Sequence, residues 1–298
     1  MAAFGSRYIW AAYTFCAEGR LLSAILTTDF INYHWTRNIM SNPDKRPTFV
    51  LVHGAWHEPL HFQSVTALLE AAGNTVESVS LPSVGHLDKD PGNGLEIDCA
   101  AVADALRKVV NSNRDVVLVA HSYGGIPTSE AAAIVSQEQE KAMNPVGKIV
   151  KLIYLAAYVP PKGASLVTES AAGQSPTNRQ PTDSENGLMA ITAENAIHVL
   201  YNTTPAALAE EAASKLRPIA LSSFVQTTKF CGWADHGIPV GYIACKQDKA
   251  MPPSLQQDFV ARIEATGSAS ETVWLDSDHS PFLHMPEQVA ELLLAAAA

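Results

Sequence analysis

Residues 116–125 read VVLVAHSYGG. An unbroken apolar run leads into a serine, and two glycines follow. Such a run fits a strand buried on both faces of a sheet. Ala120, Ser122 and Gly124 form a small-x-Ser-x-Gly pattern, with alanine at the first position, where glycine is commoner. The spacing has a steric origin. A serine lifted into the open by a tight strand-to-helix turn needs small residues two before and two after it, where larger side chains would meet backbone. The GGIPTSEAAAIVSQ stretch then supplies a helix, whose N-terminus favours negative charge beside the hydroxyl. Ser122 is therefore the candidate nucleophile.

Working outward, five further runs read as buried strands: TFVLVH (48–53), TVESVSL (75–81), KIVKLIYLAA (148–157), PVGYIAC (239–245) and ETVWL (271–275). Helical patterns separate most of them, at 61–73, 95–110, 124–137, 253–267 and from Pro286 onward. Alternating strands and helices predict an α/β fold, a doubly wound parallel sheet of about six strands. One interval breaks the rhythm. Residues 161–237 are too many for a crossover loop, and they are expected to form a helical cap inserted before the fifth strand, over the carboxyl edge of the sheet. Within it, 188–202 and 205–221 read as helices, and the Ser/Pro-rich 162–187 as a surface loop.

A hydroxyl nucleophile needs a base, and the base needs an orienting acid. YIACKQDKAMPP puts Asp248 just past the fifth strand, and VWLDSDHSPFLHMPEQ puts His279 just past the sixth. Both fall at the same sheet edge as Ser122. Asp276 and Asp278 belong to the histidine's own loop, Asp258 lies within a helix, and His284 stands closer to the final helix. Ser122, Asp248 and His279 are accordingly the expected catalytic triad.

HGAWHEPLHF, after the first strand, spaces His53, His57 and His61 by four. That spacing serves a metal only on a helix, and Gly54 and Pro59 break one. No nearby carboxylate or cysteine completes a zinc shell, so no metal is expected. The stretch reads better as an oxyanion loop, because acyl transfer builds charge on a carbonyl oxygen that two fixed N–H groups must meet. Tyr123 and Ala55 are the expected donors. Trp56, His198, Phe224 and Trp233 are candidate pocket walls, each also readable as core.

The chain has 298 residues, 47% of them hydrophobic, enough to bury a large core. Its net charge of −10 and scattered cations exclude a nucleic-acid track. The four cysteines lie far apart without a CxxC pair, which fits a reducing compartment. Residues 7–28 are apolar, but Glu18, Gly19 and Arg20 split them below the roughly 20 residues a membrane span needs. Residues 1–46 are read as a dispensable extension and 47–298 as the folded domain. The expected location is cytoplasmic, with a mitochondrial presequence over 1–39 as the alternative.

From about residue 47 to its end, the chain resembles the α/β-hydrolase superfamily. FVLVHGAWH, LLEAAGNTVESVSLPSVG, VVLVAHSYGG, LIYLAAYVP, IPVGYIACKQDKAMP and DHSPFLHMPEQVAELL follow in order with compatible gaps. The resemblance is closest to the small cap-bearing branch of methyl esterases and hydroxynitrile lyases. It implies a sheet without the opening antiparallel hairpin of larger members. Lyases of that branch carry a threonine beside the oxyanion loop and a lysine directly after the catalytic histidine; this chain has Gly54 and Ser280 there. Both departures favour a serine hydrolase acting on a small, fairly apolar carboxylic ester. The alternatives are C–C bond or lactone chemistry in a small-molecule biosynthetic pathway, and a non-catalytic ligand receptor. The expected partner is a small-molecule substrate, with a homodimer as an open alternative to the monomer and no cofactor required.

Overall fold

The structure, a computed structural model, describes residues 46–143, 147–172, 182–183, 185–267 and 270–297. The expectations for residues 1–45 lie outside them. Among the described residues, nine strands follow in chain order: β1 (Thr48–Val52), β2 (Thr75–Val79), β3 (Val116–His121), β4 (Ile149–Leu155), β5 (Thr182–Asp183), β6 (Leu188–Met189), β7 (Ile219–Ala220), β8 (Val240–Cys245) and β9 (Ser270–Leu275). The helices are α1 (Gln63–Ala71), α2 (Gly94–Asn111), α3 (Gly125–Lys141), α4 (Leu166–Ala172), α5 (Ala193–Val199), α6 (Ala206–Ser214), α7 (Ser222–Val225), α8 (Gly232–Asp235), α9 (Pro253–Glu264), α10 (Pro281–His284) and α11 (Pro286–Ala296).

Six strands pair in parallel in the order β2-β1-β3-β4-β8-β9. They are the six read from the sequence, each within a few residues of its expected bounds. The pleat of β1 shows why these runs are continuously apolar. Val50 and Val52 join one core with α2 and α3, while Phe49 and Leu51 join the other with α1 and α11. Both faces are covered, so both must be apolar. The edge strands β2 and β9 keep polar residues, and Glu77 of β2 pairs with Lys108 at 2.9 Å. The parallel register brings the carboxyl ends of β1 and β3 level, with Val52 beside Ala120.

The segment between β4 and β8 differs in detail from its sequence reading. Residues 188–202 do not form one helix: β6 comes first, and α5 starts only after Thr192, whose side chain accepts from the Asn195 N–H. A threonine at that cap fixes the helix start. Residues 205–221 likewise divide, with α6 ending at Ser214 and β7 following Pro218, which cannot donate to a continuing helix. Leu188 pairs with Ala220 and Met189 with Ile219, in a small antiparallel sheet ordered β5-β6-β7. Residues 166–172, expected as loop, form α4.

Candidate active site

The turn after β3 has the geometry its spacing requires. Ser122 sits at φ 53, a left-handed conformation that is costly for a residue with a side chain. A short 3-10 turn, Ser122–Gly124, leads from it directly into α3. A Cβ on Gly124 would collide with the His53 carbonyl oxygen. The glycine is thus fixed by the adjacent end of β1, not by the turn alone.

The three residues read as a relay are brought together. The Ser122 hydroxyl lies 2.8 Å from His279 Nε2, and His279 Nδ1 lies 2.7 Å from Asp248 Oδ2. The other side of the carboxylate is held by local backbone: Oδ1 accepts from the N–H groups of Ala250 (2.8 Å) and Met251 (2.7 Å). Gln256 Nε2 reaches Oδ2 at 3.2 Å. The Asp248 and His279 side chains are almost fully buried, while Ser122 is half-buried. Since the carboxylate is an acceptor, Nδ1 donates to it and Nε2 is free to accept the serine proton.

The competitors occupy other roles. Asp276 is engaged by Gln247 at 2.7 Å. Asp278 Oδ2 accepts from the N–H groups of Thr203 and Thr204 and from the Thr204 hydroxyl, each at 2.9 Å. His284 faces Thr204 Oγ1 at 3.1 Å, so neither it nor Asp278 reaches the serine.

The loop after β1 passes directly over Ser122. A Cβ on Gly54 would stand 2.6 Å from Ser122 Cβ and 3.2 Å from its hydroxyl. Ala55, Trp56, Ser122, Tyr123 and His279 line one cavity, so the two residues expected to supply the oxyanion donors border the same space as the hydroxyl. Trp56 has φ 63, a genuine outlier for so bulky a side chain. It is held there from both ends: its carbonyl accepts from Arg217 N at 2.9 Å and its indole N–H donates to the Met189 carbonyl at 3.0 Å. Nothing in the sequence announced this strain.

The histidines of the stretch are buried and neutral. His53 donates from Nδ1 to the Gly54 carbonyl (2.9 Å) and accepts at Nε2 from the Leu81 N–H (3.1 Å), and burial lowers its pKa to about 4. His57 donates from Nδ1 to the Ala55 carbonyl (2.9 Å) and accepts at Nε2 from the Tyr201 hydroxyl (3.0 Å). Burial holds His57 well below its ordinary value. Their ring nitrogens are engaged in fixing the loop, and only Pro59–Phe62 of this stretch is helical, as a 3-10 turn. No group of three or more His, Cys, Asp or Glu among the described residues could hold a metal.

Of the four candidate walls, Trp56 and Phe224 line the cavity, with rings 6.0 Å apart edge-to-face. His198 and Trp233 do not. His198 is on the exposed side of α5, and Trp233 is buried where α8 packs on α3. The sequence reading missed Tyr158, Leu166, Leu200 and Met251, which also line the cavity. Three of these are aliphatic, and an aliphatic residue carries no sequence mark separating pocket from core. The free space is about 20 Å³, room for water but not for a substrate unless side chains give way.

A tight turn presenting a serine at the carboxyl edge of a parallel sheet is a geometry that comparison with known proteins can place. The alpha/beta hydrolase family model matches residues 49–292. Alpha/beta hydrolase nvfD of Aspergillus novofumigatus is 29% identical over 253 residues, covering 85% of this chain and 97% of that protein. Methylesterase 1 of Arabidopsis thaliana is 28% identical over 277 residues, covering 87% and 98%. The crystal structure of polyneuridine aldehyde esterase superposes with a TM-score of 0.70, at 22% identity over 85% of this chain and 100% of that one. The last bears on the fold alone. With the family model spanning the chain from β1 to α11, the chain belongs to the alpha/beta hydrolase family.

Proposed function

We propose that the protein is a serine esterase that hydrolyses small, uncharged carboxylic esters through an acyl-enzyme intermediate. The observation that carries this reading is the unbroken relay from Ser122 Oγ through His279 to Asp248 at 2.8 and 2.7 Å. In the first step His279 Nε2 takes the hydroxyl proton as Oγ attacks the ester carbonyl, and the N–H groups of Ala55 and Tyr123 receive the developing oxyanion. The proton then passes from Nε2 to the departing alkoxide, releasing the alcohol. Water attacks the acyl-serine by the same route, with His279 as base, and frees the acid and the serine.

The choice of substrate class rests on the walls. Trp56, Tyr158, Leu166, Leu200, Phe224 and Met251 surround the serine, and among the described residues no Asp, Glu, Lys or Arg lines the cavity. A charged acyl or alcohol group would lose its hydration there without a partner. Ser280, directly after His279, is fully buried and neutral, so the position supplies no cation for holding cyanide. The names of the relatives, a hydrolase and a methylesterase, agree with ester hydrolysis. Substituting Ser122→Ala tests the assignment: turnover of p-nitrophenyl butyrate is expected to fall at least ~10³-fold, and retention of activity would refute it.

A further inference from the structure

The three loops that carry Ala55, Asp248 and His279 leave the sheet from β1, β8 and β9 and are distant in sequence. Four consecutive residues between α5 and α6 touch all of them. The Tyr201 hydroxyl donates to His57 Nε2 at 3.0 Å, and His57 in turn holds the Ala55 carbonyl at 2.9 Å. Asn202 Nδ2 donates to the carbonyl of Gln247, the residue before Asp248, at 3.1 Å. Thr203 and Thr204 converge on Asp278, the residue before His279. Their two N–H groups and the Thr204 hydroxyl donate to one carboxylate oxygen at 2.9 Å, and the Asp278 N–H returns a bond to the Thr203 hydroxyl at 3.0 Å.

The Asp278 side chain is fully buried, and its nearest cationic candidate, His284 Nδ1, is 3.9 Å away. A buried carboxylate without an ion partner is tolerated only when donors satisfy it. Here three of those donors come from the strap and a fourth from the Ser280 N–H at 3.0 Å. The residues on either side of His279 are thus both tied to one carboxylate. That carboxylate's other partners lie in the segment that also anchors the oxyanion loop and the acid loop.

We propose that Tyr201–Thr204 is a positioning strap, which sets the mutual geometry of the oxyanion donor, the acid and the base without touching the reacting atoms. The inference rests on the relay reading above. It separates from a purely structural role because misplacing a reacting group lowers the chemical rate at each working site, whereas loss of stability lowers only the number of working sites.

The test is steady-state hydrolysis of p-nitrophenyl butyrate, with sites counted by fluorophosphonate labelling of Ser122. Thr204→Val keeps the shape and removes the hydroxyl. It is expected to lower kcat per labelled site about tenfold to a hundredfold, with KM within about twofold, and Thr204→Ser should recover most of that loss. Unchanged kcat per labelled site, or a rise in KM alone, would overturn the strap. If Thr204→Val does not fold, Tyr201→Phe, which loses only the bond to His57, decides by the same two readings. A wild-type protein that takes no label would instead refute the relay, and the strap with it.

Discussion

Gly54 has no side chain, yet it governs how closely the first loop approaches the nucleophile. A methyl group there would stand 2.6 Å from Ser122 Cβ and 2.9 Å from the His121 ring, distances that real carbon atoms do not occupy. Gly54→Ala is therefore expected to push the oxyanion loop off the serine and lower kcat/KM by ~100-fold or more. Overpacking should cost a further ~1–3 kcal/mol of stability. Kinetics together with thermal melting measure both, and an active alanine variant would contradict the close approach. The sequence marked the residues whose chemistry is rare: a serine between small residues, an acid and a histidine past late strands. It did not mark Trp56 at φ 63, because strain is a property of the surrounding hydrogen bonds and not of the residue. Nor did it separate His198 and Trp233 from true walls, since an aromatic in an insertion says nothing about which way it faces.

Among the elements, α2 is tied to the nucleophile turn by a single buried carboxylate. Asp98 accepts from the Ser83 N–H (2.9 Å), the Ser83 hydroxyl (2.6 Å) and the Tyr123 hydroxyl (2.7 Å). Burial raises its pKa from 3.8 to about 6 despite those donors. A folded value above the unfolded one means the folded state holds the proton more tightly, so this group's contribution falls as pH rises from about 4 to 6. The size is about 3 kcal/mol. Asp98→Asn cannot titrate, so its stability relative to wild type should climb across that window. Urea unfolding at pH 4 and pH 6.5 measures the difference, and a constant offset would contradict the assignment. The six central strands were readable because burial on both faces leaves an uninterrupted apolar run. The insertion was not, because β6 and β7 are two residues long, too short for any period to show, and gain their pairing only from each other.

Across the whole molecule, four buried histidines share one neighbourhood between the two cores. His57 lies 4.8 Å from the His61 ring and 5.3 Å from that of His121. Burial lowers all of His53, His57, His61 and His121. Because the folded values lie below the unfolded 6.5, the stability these residues contribute is complete above pH 6.5 and is lost as pH falls. His53, with a folded value of about 4, alone accounts for about 3 kcal/mol between those limits. That offsets the opposite trend of Asp98, and His57, His61 and His121 add to it in the same direction. The unfolding free energy should therefore drop on acidification from pH 6.5 to 4, and a flat profile would mean that the cluster is hydrated or already charged. The sequence displayed three of these histidines, His53, His57 and His61, at a period of four, which invited a metal reading. What they share is burial, and that appears only when β1, β3 and the insertion are assembled.

At the same scale stands the convergence of Ser122, His279 and Asp248 from three separate strand ends. Intact-mass and peptide mass spectrometry after exposure to a fluorophosphonate reads it most directly. A single adduct is expected on Ser122, formed at least ~10³-fold more slowly in His279→Ala. An unmodified chain, or an adduct on any other residue, would contradict the relay on which the functional reading depends.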